Sequence, residues 1–190
     1  MKQFRRLGLL SFLIVLIACG AGKIPHRIMA DYDKQPPRLI TVLAIANASD
    51  PRAAEMLRTK LIEGLFFKGY PRIPDKVIDA LEAQLVADGS VPSAQQIGEK
   101  LRVDAVLSVN LREAVPGKGF FYAATSVAAD FELRSARTGE VLWSAKHGIV
   151  ERSFRIIPKR VELRSAQLYE PAIQELVDRA LETLPDAAGD

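Results

Sequence analysis

Residues 121–150, FYAATSVAADFELRSARTGEVLWSAKHGIV, decide the fold. Apolar and polar side chains alternate through the first half of this segment, which is the period-two pattern of a strand with one buried face. Arg137-Thr138-Gly139 is a turn sequence, and residues 140–150 read as the returning strand, so the segment predicts an antiparallel hairpin. The face expected in the core carries Phe121, Ala123, Thr125, Val127, Ala129, Phe131 and Leu133.

Two further strands are predicted upstream of this hairpin. Residues 105–111 alternate between apolar and polar side chains, and the Gly-Lys-Gly sequence within residues 115–120 predicts the turn that joins them to the long strand. Residues 39–46 (LITVLAIA) are apolar on both alternating faces, which is typical of a central strand covered on both sides. The sequence therefore predicts a meander added to an earlier, buried strand.

Helices are predicted between and after these strands. Asp50 and Pro51 form a good helix start, because aspartate caps the free N–H groups and proline suits the first helical position. The resulting order is β-α-β-α-α-β-β-β-α. It predicts an α+β fold with an α/β-like start, a mixed sheet and helices packed on it. The predicted helices span residues 51–68, 75–87, 93–101 and 171–184, and residues 70–73 are predicted as a short strand.

The first 18 residues have the organisation of an export signal. A basic start precedes an almost wholly apolar run from Leu7 to Ala18, which is shorter than the roughly 20 residues of a spanning helix. The run ends in Leu16-Ile17-Ala18-Cys19, which matches the lipobox of bacterial lipoproteins. We predict cleavage before Cys19 and acylation of its sulfur. A secretory peptide followed by an incidental cysteine is the alternative.

The mature chain is predicted to have three parts. Residues 19–38 hold the acylated cysteine and a flexible tether that contains three prolines. Residues 39–184 form one domain, which faces the periplasm, and residues 185–190 are expected to be a disordered tail. Gly20, rather than aspartate, follows the cysteine, which favours the outer membrane, although the inner membrane and the cell surface stay open.

Charge argues against nucleic acid as a partner. The full chain has 26 basic and 23 acidic residues, but Lys2, Arg5 and Arg6 leave with the signal peptide and no acid does. The mature chain is therefore formally neutral, whereas nucleic-acid binding needs a retained basic face. Cys19 is the one cysteine of the chain, so the domain must fold without an intramolecular disulfide.

No residue pattern predicts catalysis, a metal site or a cofactor other than the covalent lipid. The chain has two histidines, of which His26 falls in the predicted tether and His147 on a strand. Neither belongs to a metal-binding or nucleophile motif. Asp130 and Glu132 share one strand face, where solvated strand charges are favoured over a catalytic carboxylate pair. We therefore expect a protein that is not an enzyme.

Two segments are candidate partner-contact sites. Phe120, Phe121 and Tyr122 follow the glycine-containing turn, and aromatic side chains are typical interface anchors. The alternative is that these rings fold back over the core. Residues 152–164 (RSFRIIPKRVELR) mix five basic residues with apolar ones and suit an anionic lipid or an acidic partner, or else form a solvated connection that covers the sheet edge. Its candidate contact residues are Phe154, Arg155, Ile156 and Ile157.

Three blocks carry a family resemblance: PRLITVLAIAN (37–47), IGEKLRVDAVLSVNL (97–111) and VAADFELRSARTGEVLWSA (127–145). Together they resemble the DUF799 family of bacterial lipoproteins, typified by a meningococcal vaccine-candidate lipoprotein. The resemblance extends to the broader superfamily of the TolB N-terminal domain, CsgG and LpoB. It implies a TolB N-terminal-like fold that binds partners, and it supplies no catalytic residue.

The predicted function is a membrane-anchored envelope lipoprotein that acts by protein–protein contact. The resemblance implies a component of an outer-membrane-associated assembly or export complex, with other envelope lipoproteins or further copies of itself as partners. Two alternatives stay open, which are a regulator of a periplasmic cell-wall synthase and an envelope carrier of a small ligand. A regulator would need a longer tether, and a carrier would need a concave pocket with converging polar groups.

Overall fold

A computed structural model describes residues 23–45, 48–89, 92–118, 122–154 and 165–188. Its elements follow the predicted order, except that two elements are added at the N-terminal side and residues 70–73 do not form the predicted strand. The strands are β1 (His26–Ile28), β2 (Ile40–Val42), β3 (Ala105–Lys118), β4 (Tyr122–Ser135) and β5 (Val141–Phe154). The helices are α1 (Ala30–Lys34), α2 (Pro51–Phe67), α3 (Asp75–Ala87), α4 (Ala94–Leu101) and α5 (Ser165–Leu181).

The five strands form one mixed sheet in the order β1-β5-β4-β3-β2. The strands β3, β4 and β5 have 14 residues each and form the predicted antiparallel meander. The strand β2 pairs parallel with β3, while β1 pairs antiparallel with β5. The α+β fold with a mixed sheet is therefore confirmed.

One face of the sheet packs against α2 and α5 and forms the main core. Along β4, the side chains at positions 125, 127, 129, 131 and 133 are buried, as the alternation predicts. The apolar stripe of α5 is buried as well and includes Ile173, Leu176 and Val177. The two helices approach closely at Gly64, where an added Cβ would lie 2.5 Å from the Leu181 side chain.

In the part of the chain that the structure describes, helices cover the opposite face where β2 and β3 lie. There α3 and α4 enclose a second apolar cluster, made of Leu85, Ile97, Val103, Val106 and Ala136. Helix α4 begins with a capping box between Ser93 and Gln96. Gly98 allows α4 to approach the chain at Ala136, because an added Cβ would collide with the Ala136 Cβ. The described side chains on the outer face of β4 and β5 are half-buried or exposed.

The two ends of the meander are different. At one end, which we call the base end, the turn at residues 136–140 joins β4 to β5, and α1 and the last turn of α5 lie nearby. At the other end, the tip end, β3 finishes at Lys118, β4 begins at Tyr122 and β5 finishes at Phe154. Helix α2 starts on the tip side and ends at the base end, where the Lys68 carbonyl accepts a hydrogen bond from the Ala187 N–H.

Two strand predictions need correction. Residues 70–73 are not a strand; they run without a sheet partner between α2 and α3. Pro71 and Pro74 lack the N–H that a ladder requires, and Tyr70 is buried in the core instead. The buried strand is also shorter than residues 39–46, because β2 spans Ile40–Val42 only.

Residues 23–38 are not a flexible tether. His26 and Ile28 pair with Ala145 and Trp143 of β5, and the short helix α1 follows. Ile24, Tyr32 and Pro37 are buried, so the segment covers apolar surface at the sheet edge. Residues 185–187 likewise belong to the fold rather than to a disordered tail, since Pro185 and Ala187 both make hydrogen bonds.

A buried hydrogen-bond chain fastens α1 to the rest of the domain. The Tyr32 hydroxyl lies 2.9 Å from the Tyr70 hydroxyl, which donates to the Pro185 carbonyl at 3.0 Å. Because a hydroxyl has one proton, Tyr32 is the donor to Tyr70. Burial raises the pKa of both tyrosines, so both are neutral donors at physiological pH.

We expect Tyr70→Phe to destabilise the domain more than Tyr32→Phe. Tyr32→Phe removes one hydrogen bond and should cost about 1 kcal/mol. Tyr70→Phe also leaves the Pro185 carbonyl and the Tyr32 O–H without their partner, so it should cost about 2 kcal/mol. Urea unfolding followed by circular dichroism measures both changes, and Lys34→Ala on the exposed side of α1 is the control. Equal costs for the two tyrosine variants would contradict the donor order.

Candidate functional site

The structure brings some of the predicted contact residues to one place, the tip end. Tyr122 and Phe154 are direct cross-strand partners there. Phe120, Phe121, Arg155, Ile156 and Ile157 lie outside the described residues, and so does Cys19. The aromatic segment and the basic segment are separate in sequence. The pairing of Tyr122 with Phe154 shows that both adjoin the tip end.

The outer face at the tip end is partly apolar. Val115, Ser126 and Val150 form one cross-strand row, and both valines have more than half of their surface exposed. The next row contains the exposed Glu113 together with Ala128 and Gly148, and an added Cβ on Gly148 would touch the Ala128 Cβ at 3.2 Å. Small and branched apolar residues in adjacent rows make a surface that can lie against another surface.

The suspected carboxylate pair on β4 is neutralised by arginines. Arg112 Nε lies 3.0 Å from Asp130 Oδ1, and Arg134 Nε lies 2.6 Å from Glu132 Oε1. Each carboxylate therefore has an arginine within ion-pair distance. This arrangement is an ion-paired strand face, in agreement with the preference for solvated strand charges over an acid–base pair.

His147 lies on the core-facing side of β5, near the edge covered by α5. Burial lowers the pKa of its imidazole, and the nearby Arg179 guanidinium lowers this pKa further. Its Nε2 is buried and has no hydrogen-bond partner among the described residues. Within the described parts of the chain, no cluster of three His, Cys, Asp or Glu side chains is placed to hold a metal ion.

A polar cleft of about 540 Å³ opens at the base end. Several of its polar groups are already engaged, since Lys34 Nζ binds Asp31 at 2.8 Å and the Asp104 carboxylate accepts backbone N–H bonds from Arg38 and Leu39. His147 is not among its lining residues. The charged side chains that line the cleft are Asp31, Lys34, Arg38, Asp104, Arg137 and Glu140.

A third polar cluster closes the end of β2. Arg58 donates to the Val42 carbonyl through Nε and Nη2 at 3.3 and 3.2 Å and to Asp79 through Nη1 at 2.6 Å. Glu82 accepts the Ala44 N–H at 3.0 Å, and burial raises the pKa of this carboxyl group. These bonds join α2 and α3 to the end of β2, so the cluster stabilises the fold at this point.

Sequence reasoning missed a pair of exposed phenylalanines at the base end. Phe66 is 54% exposed and Phe67 is 85% exposed, and their ring centroids are 6.1 Å apart in an edge-to-face arrangement. We call them the phenylalanine pair. The signal was present in the sequence, because both residues fall beside the buried stripe of Leu57, Leu61 and Leu65 on α2. In the described part of the chain, no helix is both long and apolar enough to cross a bilayer.

Comparison with known proteins supports the fold. No protein-family model matches the chain, and no curated protein matches its sequence. The chain is similar to the lipoprotein GNA1162 from Neisseria meningitidis, with 21% identity, coverage of 71% of this chain and 97% of that one, and a TM-score of 0.55. It is also similar to the dodecameric PelC from Paraburkholderia phytofirmans, with 16% identity, 82% and 94% coverage, and a TM-score of 0.51.

These identities establish a shared fold and nothing finer. The predicted α+β architecture agrees with both structures, and a meningococcal lipoprotein is one of them. Membership in the DUF799 family and in the TolB, CsgG and LpoB superfamily stays a prediction, since no family model matches.

Proposed function

We propose that this chain is an envelope lipoprotein, anchored through Cys19, that works by protein–protein contact rather than by catalysis. The observation that carries the contact role is the phenylalanine pair. Two large aromatic side chains are exposed next to each other at the end of a helix whose other face is packed in the core. Clustered aromatic residues on a rigid surface are typical anchors of protein interfaces.

The first partner that we propose is a second copy of the chain. PelC, which shares this fold, is a dodecamer, and a head-to-tail interface between identical subunits produces a closed ring when the rotation closes. Lipid anchoring supports such association, because subunits held on one membrane have a high effective concentration for each other. Such an oligomer would serve as a component of an outer-membrane-associated assembly or export complex, with other envelope lipoproteins as further partners.

We expect the double variant Phe66→Ser/Phe67→Ser to lose self-association. Removing both rings takes away two large exposed apolar side chains at the base end, and neither ring is buried in the core. Native mass spectrometry of the acylated protein in detergent should show an oligomer for the wild type and mainly monomer for the variant.

A matched control is available on α3. Val77 and Val86 are 50% and 61% exposed, so Val77→Ser/Val86→Ser removes exposed apolar surface from another helix. This control should keep the wild-type mass, and both double variants should keep native circular dichroism. A monomeric wild type, or an oligomer that survives loss of both rings, would refute the proposed role of the pair.

A ligand carrier is the second candidate, and the base cleft is the observation that favours it. Its volume of about 540 Å³ falls within the range of small-molecule sites, although it is lined mainly by charged and polar residues. A carrier purified gently from membranes should retain a small molecule, seen as extra mass that Arg137→Glu abolishes. Retention of such a ligand would favour the carrier over the contact role.

The third alternative, a regulator that crosses the periplasm to a cell-wall synthase, has less support. Cys19 is only six positions before Pro25, whose carbonyl is already bonded to β5. This connection spans at most about 21 Å. A regulator that must reach a distant enzyme needs a longer free segment.

A further inference from the structure

We propose that the tip end of the meander lies against the headgroup region of the bilayer that holds the acylated Cys19. This inference rests on the lipoprotein function proposed above and adds the orientation of the domain. It turns the tip end toward lipid and the base end, with the phenylalanine pair and the polar cleft, toward the periplasm. Three observations support it: the direction of β1, the length of chain before it, and the chemistry of the tip.

The direction of β1 sends the preceding chain toward the tip end. The strand β1 is antiparallel to β5, with His26 opposite Ala145 and Ile28 opposite Trp143. Because β5 runs from the base end to the tip end, β1 runs the opposite way and its N-terminal side faces the tip. Ile24 is buried and therefore fixes the position from which the chain continues back to Cys19.

The length of the preceding chain limits how far beyond β1 the anchor can lie. Pro25 is level with Lys146, which donates its N–H to the Pro25 carbonyl at 3.0 Å. Phe154, at the end of β5, lies eight residues further toward the tip, a distance of about 27 Å at the rise of a strand. Cys19 precedes Pro25 by six residues, which extend at most about 21 Å. Measured from Pro25 along the strand direction, the tip therefore extends at least as far as the anchored cysteine can reach.

The direction of β1 and the short connection before it also disfavour an approach to the membrane by the base end. The chain would have to reverse its direction before Ile24, and the reversal would use part of an already short connection. The short connection also prevents the domain from standing far off the bilayer. A membrane that holds Cys19 therefore meets the tip end first.

The chemistry of the tip fits a lipid surface. Val115 and Val150 are exposed there in one row of the outer face. Apolar side chains that enter the headgroup boundary are part of the usual composition of surfaces that bind at membrane interfaces. The interaction is therefore with lipid, whereas protein partners meet the base end.

Two single-cysteine variants test the orientation in the full acylated protein. Val150→Cys places a thiol at the tip and Val77→Cys places one on α3 toward the base end, where the adjacent Ile78 lies near Ile40 and Tyr70. The two valines have similar exposure, 56% and 50%. Cys19 does not interfere, because its sulfur carries the lipid. Each variant is labelled with a fluorophore and reconstituted into phosphatidylethanolamine–phosphatidylglycerol vesicles that contain a headgroup spin-labelled lipid.

The label at position 150 should lose most of its emission, whereas the label at position 77 should keep nearly all of it. Equal quenching at both positions, stronger quenching at position 77, or no quenching at either would overturn the proposed orientation. Flotation of the vesicles is recorded in the same samples. Protein that fails to float with the vesicles would overturn the lipid anchor itself, so a failure of the proposed function is distinguished from a failure of the orientation.

Discussion

Replacing Cys19 by alanine is expected to abolish incorporation of labelled fatty acid into the protein. The predicted lipid would be attached through the cysteine sulfur, and the chain contains no other cysteine that could take its place. The effect should therefore be complete rather than partial. Cells that express the wild type or Cys19→Ala are grown with labelled palmitate, and the protein is immunoprecipitated and compared on a gel.

The control for this experiment keeps the thiol and changes its neighbour. Gly20→Ala leaves Cys19 in place and should be labelled like the wild type. The wild type should also partition with membranes more strongly than Cys19→Ala, because stable anchoring takes two or more acyl chains. Label that persists in Cys19→Ala would show that the lipobox reading is wrong, and the orientation inferred from the short connection would then lose its basis.

Replacing Trp143 by alanine is expected to lower the free energy of unfolding by about 4 kcal/mol. Trp143 is fully buried, and its ring centroid lies 6.3 Å from that of Phe131. Its indole N–H donates to Thr183 Oγ1 at 3.2 Å, and the Thr183 hydroxyl donates to the Ala180 carbonyl at 2.7 Å. The side chain thus joins the hairpin to the last turn of α5, and its loss leaves a cavity between them.

The matched variant Trp143→Phe separates packing from hydrogen bonding. It keeps an aromatic ring in the core and removes the bond to Thr183, so it should cost clearly less than the alanine variant. Because Trp143 is the one tryptophan in the chain, urea unfolding must be followed by circular dichroism and not by tryptophan fluorescence. A cost below about 1 kcal/mol for Trp143→Ala would mean that the two layers are held together elsewhere.

In the proposed orientation, the two ends of the molecule face different surroundings. The tip end would lie at the bilayer, and the phenylalanine pair at the base end would be accessible from the periplasm. Subunits held in one orientation on one membrane meet each other with their base ends at the same height. That geometry favours a ring whose plane is parallel to the membrane, which the mass measurement and the quenching measurement test separately.

Local sequence patterns predicted the antiparallel meander and the buried stripe of the last helix, but this helix spans Ser165–Leu181 rather than residues 171–184 and has Pro171 inside it. The alternation from Thr125 to Leu133 places one side chain in the core at every second residue, and the structure has the same five side chains buried. The predicted cap at Asp50 also holds, because its side chain accepts the backbone N–H of Arg52 at 2.9 Å. Such features depend on neighbouring residues, so they can be recognised without knowing the fold.

The docking of residues 23–38 could not be recognised in this way. The segment is charged and rich in proline, and its sequence lacks the periodicity of a regular element. Its burial depends on Trp143, Tyr70 and Pro185, which are distant in sequence. The position of Phe66 and Phe67 beside the buried stripe of α2 is visible in the sequence, whereas the degree of their exposure depends on how α2 packs in the fold.

The sequence by itself determined the type and order of the principal elements, the buried side of the long strands, and the lipobox that predicts an anchor. Only the tertiary structure decided the position of β1 at the sheet edge, the closing of the N-terminal segment onto the domain, and the end of the meander that the anchor can reach. The physical reason is that periodicity and capping act over a few residues. Strand neighbours and burial, in contrast, depend on which apolar surfaces remain uncovered once the distant parts of the chain have come together.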